Sequence, residues 1–113
     1  MSLIQITQRT ENVTVFQIRD RITLNNFAEL EAITKVEYEK GMRRLVLDLR
    51  ETPALSSIGV RAIVVIHKIF SADGGNPLKL AGAAPHIREV LQIAGITQFL
   101  DVYHTVDEAA ASF

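Results

Sequence analysis

Hydrophobic and polar residues alternate twice near the start of the chain. Ile4 and Ile6 alternate with Gln5 and Thr7, and Val13 and Val15 alternate with Thr14 before Phe16 and Ile18. A period of two sends successive side chains to opposite faces of a strand, and Glu11-Asn12 between the runs suits a hairpin turn. Residues 26–40 are good helix formers with apolar positions at Phe27, Leu30, Ile33 and Val36. These positions drift around the helix, so propensity predicts this element more than an apolar stripe does, and Gly41 is placed to end it. Leu45-Val46-Leu47-Asp48-Leu49 is nearly continuous in apolar character. It reads as a central strand buried on both faces.

After a turn at Thr52-Pro53, Ser56-Ser57 precedes a run from Ile58 to Phe70 that is apolar around most of its circumference. Its length of about three turns selects helix over strand, with Ser56 as a candidate N-cap. Ala72-Asp73-Gly74-Gly75-Asn76-Pro77 reads as a loop and Leu78-Lys79-Leu80-Ala81 as another short strand. Strand, helix and strand of these lengths make a βαβ unit with parallel strands. Pro85 fits the first position of a helix running to about Ala94, with Gly95 as its stop. Residues 98–103 are expected to form a last edge strand. Thr105, with Glu108 three residues on, is a capping box opening a short C-terminal helix. The expected architecture is α/β, one domain over residues 1–113: a mixed sheet of four or five strands, opening with a hairpin and flanked by helices.

Composition narrows the function classes. At 113 residues there is room for one domain, and 48% apolar residues is too hydrophobic for a disordered chain. Twelve Lys and Arg against thirteen Asp and Glu leave a formal charge of -1. No large basic field exists to draw in nucleic acid or an anionic membrane. With no cysteine, disulfides, thiolate metal sites and cysteine nucleophiles are excluded together. The longest apolar stretch, within 58–70, is broken by Arg61, His67 and Lys68, too short and too charged for direct membrane insertion. No basic segment followed by an apolar one marks a signal peptide, so a cytoplasmic location is expected.

The candidate chemistry is sparse. His67, His86 and His104 share no metal-ligand spacing and read as ordinary helix or loop residues. Asn12-Val13-Thr14 matches the glycosylation tripeptide, which carries no meaning without a secretory signal. Gly74-Gly75 does not lead into a helix opening with Lys-Ser or Lys-Thr, so it is a turn and not a phosphate loop. A serine-hydrolase elbow needs Gly-x-Ser-x-Gly, and Leu55 stands two residues before Ser57. No enzyme activity, metal or cofactor is expected.

The informative segment is Leu45 to Phe70, LVLDLRETPALSSIGVRAIVVIHKIF. A buried strand, a short turn and Ser-Ser-Ile-Gly opening an apolar helix resemble the STAS domain, the family of anti-sigma-factor antagonists. That family's pattern is an apolar residue, Asp-Ser-Ser/Thr-Gly-Leu-Gly, then apolar helix. Aligned without gaps, Leu55 takes the apolar place, Ser56 the Asp place, Ser57 that of the phosphorylatable serine and Gly59 the first glycine. Arg61 stands in the second glycine's place. Residues 78–96, LKLAGAAPHIREVLQIAGI, are similar to the family's strand, loop, helix and Ala-Gly-Leu/Ile ending. Thr105-Val106-Asp107-Glu108-Ala109 is similar to its final Thr-x-Glu-Glu-Ala helix, so the resemblance covers nearly the whole chain. The loop from Arg19 to Asn26 resembles the family's Gly-x-Leu-Asp-x-x-Asn loop with Asp20 in the glycine place. There Asn25 or Asn26 is most simply a helix N-cap, and the resemblance implies a partner contact for both.

Two readings of Ser56 and Ser57 stand side by side. In one they cap a core helix whose outer edge is merely solvated. In the other, Ser57, Arg61, Val64 and Lys68, at i, i+4, i+7 and i+11, form one helical stripe that docks a partner. A phosphate on Ser57, at the positive end of the helix dipole, is tolerated by the fold and comes within reach of Arg61 one turn on. The resemblance implies an anti-sigma-factor antagonist that works by partner switching. It would hold an anti-sigma factor or serine kinase while Ser57 is unphosphorylated, with a phosphatase resetting the serine. Ser56 in the Asp place and Arg61 in a glycine place leave room for a constitutive accessory or regulatory subunit of a transport system instead.

Overall fold

The two alternating runs form β1 (Ile4–Arg9) and β2 (Thr14–Ile18), paired antiparallel in the computed structural model, which describes residues 3–9, 13–70 and 77–113. The turn at Glu11-Asn12 and the Gly74-Gly75 loop lie outside the described residues. The β1–β2 register shifts between Ile6 and Gln8, a bulge that bends the outer strand. α1 (Phe27–Glu39) leads to β3 (Leu45–Asp48), α2 (Ser57–Ile69) to β4 (Leu78–Ala81), and α3 (Pro85–Ile93) to β5 (Val102–Tyr103). α4 (Val106–Ala111) follows.

The strands lie side by side in chain order, β1 to β5, and every pairing after the hairpin is parallel. As expected, the strands within residues 45–49 and 78–81 are neighbours, with Leu45 opposite Leu78 and Asp48 opposite Ala81. Each crossover steps one strand in the same direction. The right-handed rule for such crossovers therefore sets α1, α2 and α3 on one face of the sheet. α4 takes the other face, against β3, β4 and β5.

Strand alternation builds two cores. Phe16, Ile18, Leu45, Leu47, Leu78 and Leu80 face the three large helices, meeting Leu30, Ile63, Ile66, Ile87 and Leu91. Val13, Val15, Val46 and Ala81 face the other way, against Ala109. All four β3 residues are buried, which is why its sequence shows no polar face.

Three details differ from expectation. In α1 the buried residues are Leu30, Thr34 and Glu37, while Val36 is 47% exposed. Apolar residues spaced by three fall back about 60° per step, so Phe27, Leu30, Ile33 and Val36 cannot share one face. Thr34 is tolerated inside because its hydroxyl donates to the Leu30 carbonyl at 2.8 Å. The last strand does not run over 98–103. Ile96–Gln98 form a 3-10 turn, Leu100 plugs the main core, and only Val102 and Tyr103 reach the ladder. Gly95, at φ 80°, makes the left-handed stop that ends α3. Thr105 does cap α4, its hydroxyl accepting from the Glu108 N–H at 3.1 Å. The Glu108 carboxylate meets that hydroxyl at 3.2 Å rather than the Thr105 backbone.

Candidate functional site

The β3–α2 connection delivers Ser56 and Ser57 to the end of the sheet where the parallel strands finish. Ser56 holds the N-cap position in extended conformation, φ -96° and ψ 178°. Its side chain makes no capping bond. Ser57 is the first helical residue, and both serines are exposed. Among the described residues neither hydroxyl has a partner. The helix is held from beneath by Gly59, which is buried rather than on the surface. A Cβ at Gly59 would run into the end of the Leu55 side chain, which would have to turn aside, so Gly59 is where α2 and Leu55 approach closely.

Along the stripe, Ser57, Arg61 and Lys68 are exposed, and Val64 is half-buried and packed into the main core. The stripe is a ridge with an apolar groove on either side. Between α2 and α3 lies a groove of about 310 Å³ lined by Ser57, Val60, Val90, Ile93 and Ala94. Between α1 and α2 lies one of about 280 Å³, lined by Leu24, Phe27, Glu31, Ile58, Arg61 and Val65. Ser57 and Arg61, one turn apart, border different grooves.

The loop before α1 sits beside the second groove. Asn26 stands at the N-cap place of α1 but does not cap, because its backbone, φ -115° and ψ -3°, lacks the extended geometry a cap needs. Its amide is used backwards: Oδ1 accepts from the Thr23 N–H at 2.7 Å and Nδ2 donates to the Arg21 carbonyl at 2.9 Å. Asn25 is exposed, its N–H donating to the Thr23 hydroxyl at 3.2 Å. The two asparagines thus shape a loop whose tip, Leu24, is 81% exposed.

Beneath the site, Asp48 closes β3 with its carboxylate fully buried. Arg50 Nη2 donates to it at 2.8 Å, the Arg50 backbone N–H at 3.1 Å and Gln17 Nε2 at 3.3 Å. Burial pushes this carboxyl up, but the Arg50 hydrogen bonds and charge, with help from Gln17, hold it below its ordinary value. The guanidinium is correspondingly raised by the carboxylate beside it. The pair is a brace, with Arg50 Nε and Nη2 both turned onto the carboxylate.

The histidines do not converge. His67 packs on Phe99 with centroids 5.1 Å apart, His86 Nε2 meets the Pro53 carbonyl at 2.9 Å, and His104 Nδ1 meets Arg88 at 3.1 Å. Among the described residues no three acidic or histidine side chains are placed to hold a metal ion.

Sequence reasoning missed the groove linings, above all Leu24 and Ile93, the latter 78% exposed. The signal was present: Leu24 is apolar within a polar loop, and Ile93 falls off the Ile87–Leu91 face of α3.

Comparison with known proteins agrees with this geometry. The family model described as the STAS domain matches residues 5–109. BtrV of Bordetella bronchiseptica, named as an anti-sigma factor antagonist, is 36% identical over 88 residues, covering 78% of this chain and 75% of that protein. An anti-sigma-factor antagonist (STAS) domain protein from Planctomyces limnophilus superposes with a TM-score of 0.83 at 22% identity, covering 99% of this chain and 98% of its own. The anti-sigma factor antagonist SpoIIAA of Bacillus, in its unphosphorylated form, gives 0.73 at 15% identity over 96% of this chain and 94% of its own. Among the described residues no helix is long and apolar enough to cross a membrane. With the family model spanning the sheet, the three large helices and the Ser57 helix start, the chain belongs to the STAS domain family.

Proposed function

We propose that this protein is a non-catalytic, cytoplasmic anti-sigma-factor antagonist that binds an anti-sigma factor or serine kinase while Ser57 is unphosphorylated and releases it once Ser57 is phosphorylated, a phosphatase restoring the binding form. The observation that carries this reading is Ser57 itself: exposed, unbonded among the described residues, first in a 13-residue helix and bordering an apolar groove.

A phosphate there adds about -1.5 to -2 charges at the favourable end of the helix dipole, so the fold does not resist it. The cost falls on the complex. A partner seated over Val60, Val90 and Ile93 would have to desolvate a dianion at the groove's rim. Partner residues that contact the ridge would lose their place as well. Disruption of a desolvated charged contact costs on the order of 2–5 kcal/mol, about 30-fold or more in affinity.

The test is partner affinity and melting temperature for the native protein, Ser57→Ala, Ser57→Asp and enzymatically phosphorylated protein, with mass spectrometry of protein from its native cells to locate phosphate. Expected are phosphate on Ser57, affinity lost in the phosphorylated form and melting temperatures within a few degrees of one another. Equal affinity for all forms would overturn switching and leave a constitutive accessory subunit. Hydrolysis of an ester or nucleotide that disappears in Ser57→Ala would overturn the non-catalytic reading.

A further inference from the structure

The α1–α2 groove is built differently from the one Ser57 borders. Its floor is apolar, Phe27, Ile58 and Val65, and Leu24 stands at its mouth 81% exposed. Its rim carries two charges of opposite sign, of which one already has a partner on its own helix. The Glu31 carboxylate already holds Lys35 Nζ at 2.9 Å, one turn further along α1. Arg61 is exposed and has no hydrogen-bond or ion-pair partner among the described residues. At about 280 Å³ and open to solvent, the groove is a surface trough for apolar side chains of a partner rather than an enclosing ligand cavity.

We infer that this groove is a second docking point for a protein partner, receiving an amphipathic helix that places one large apolar side chain between Leu24 and Val65 and a carboxylate, one turn away, on Arg61. The inference rests on the reading of α2 as a partner-binding helix, and it assigns a specificity determinant. Guanidinium and carboxylate pair in a planar, bidentate way, and the apolar anchor beside them shields the pair from water. Arg61 therefore selects acidic partners over neutral or basic ones.

A second copy of the chain is a poorer occupant. It would offer exposed Ile93 with Glu89 one turn before it on α3, but that contact must either be reciprocated across a two-fold axis or build rings and filaments of copies.

The experiment uses a displayed library of helical peptides, selected in parallel against the full native chain, Arg61→Glu and Leu24→Ser. Both positions are exposed, and thermal melts confirm that the variants fold. The native protein is expected to enrich peptides with a large apolar residue and Asp or Glu three or four positions from it. Arg61→Glu should weaken those peptides by about tenfold or more and enrich Lys or Arg at the same position, and Leu24→Ser should weaken both sets. Amide shifts from a bound peptide should cluster on Leu24, Phe27, Ile58 and Arg61. Enrichment without an acidic position, a preference unmoved by Arg61→Glu, shifts confined to the α2–α3 groove, an absence of binders, or self-association abolished by Ile93→Ser would each overturn the inference. None of these outcomes involves phosphate, so failure here is separable from failure of the Ser57 switch.

Discussion

A carboxylate at the end of a buried strand needs a partner, and Asp48 has one two residues on in Arg50, which is itself 60% exposed. The folded-state pKa of Asp48 lies below its unfolded value near ~3.9. A depressed pKa means the stabilisation is fully present above that unfolded value and is lost as pH falls through the folded one. The acid limb of the stability curve should therefore lie below about pH 4. In Arg50→Met, burial is opposed only by Gln17 and one backbone N–H. Loss should begin at higher pH, with about 1–3 kcal/mol missing at neutral pH. Urea unfolding at a series of pH values from 3 to 7 checks this, and an unmoved acid limb would assign the charge compensation to solvent. The sequence displays the charge inside LVLDL but not the brace. That Arg50 folds back onto Asp48 depends on how the chain turns after β3, where a Cβ on Gly82 would strike the Arg50 side chain. Ser57 was legible for the opposite reason, because its helix-start position follows from local pattern alone.

Elements were readable where one period dominates. The hairpin strands, β3, α2 and the Gly95 stop all follow from local pattern, since a strand face or a helix end is decided within a few residues. α1 was readable as a helix but not in which face it buries, because Thr34 and Glu37 enter the buried side only through the packing of α1 on its neighbours. β5 was overread, since Ile96 and Leu100 serve as plugs in the core rather than as rungs of a ladder. Gly95 gives a clean test of an element boundary. Its φ is 80°, and a Cβ there would meet nothing within 4 Å, so Gly95→Ala carries a conformational cost without a steric one. A loss of about 1–2 kcal/mol is expected, less for Gly95→Asn, read from denaturant midpoints. Equal stability of both variants with the native protein would mean that α3 can end without the left-handed residue.

At the scale of the whole molecule, the sheet is shared by two unequal layers. Three long helices cover one face, and the six residues of α4 cover the other. Hydrogen exchange should find its slowest amides in β3 and its paired neighbours, with α4 opening locally at lower free energy. Thr105→Ala removes the cap bond, at about 1 kcal/mol, and should speed exchange in α4 while leaving β3 protection nearly unchanged. If β3 and α4 accelerate together, the two layers form one cooperative unit. The grooves flanking α2 belong to this scale too. Each is lined from two helices far apart in the chain, so no window of sequence contains either one, and the sequence alone led to the ridge between them.

The strand order has a kinetic consequence. Because β1 to β5 lie side by side in the order in which they are synthesised, each new strand finds its template already made and none must wait for a later segment to be inserted beside it. A chain emerging from the ribosome adds one strand and its covering helix at a time to a growing edge, which keeps loop closures short and limits how long any open edge is presented to other chains.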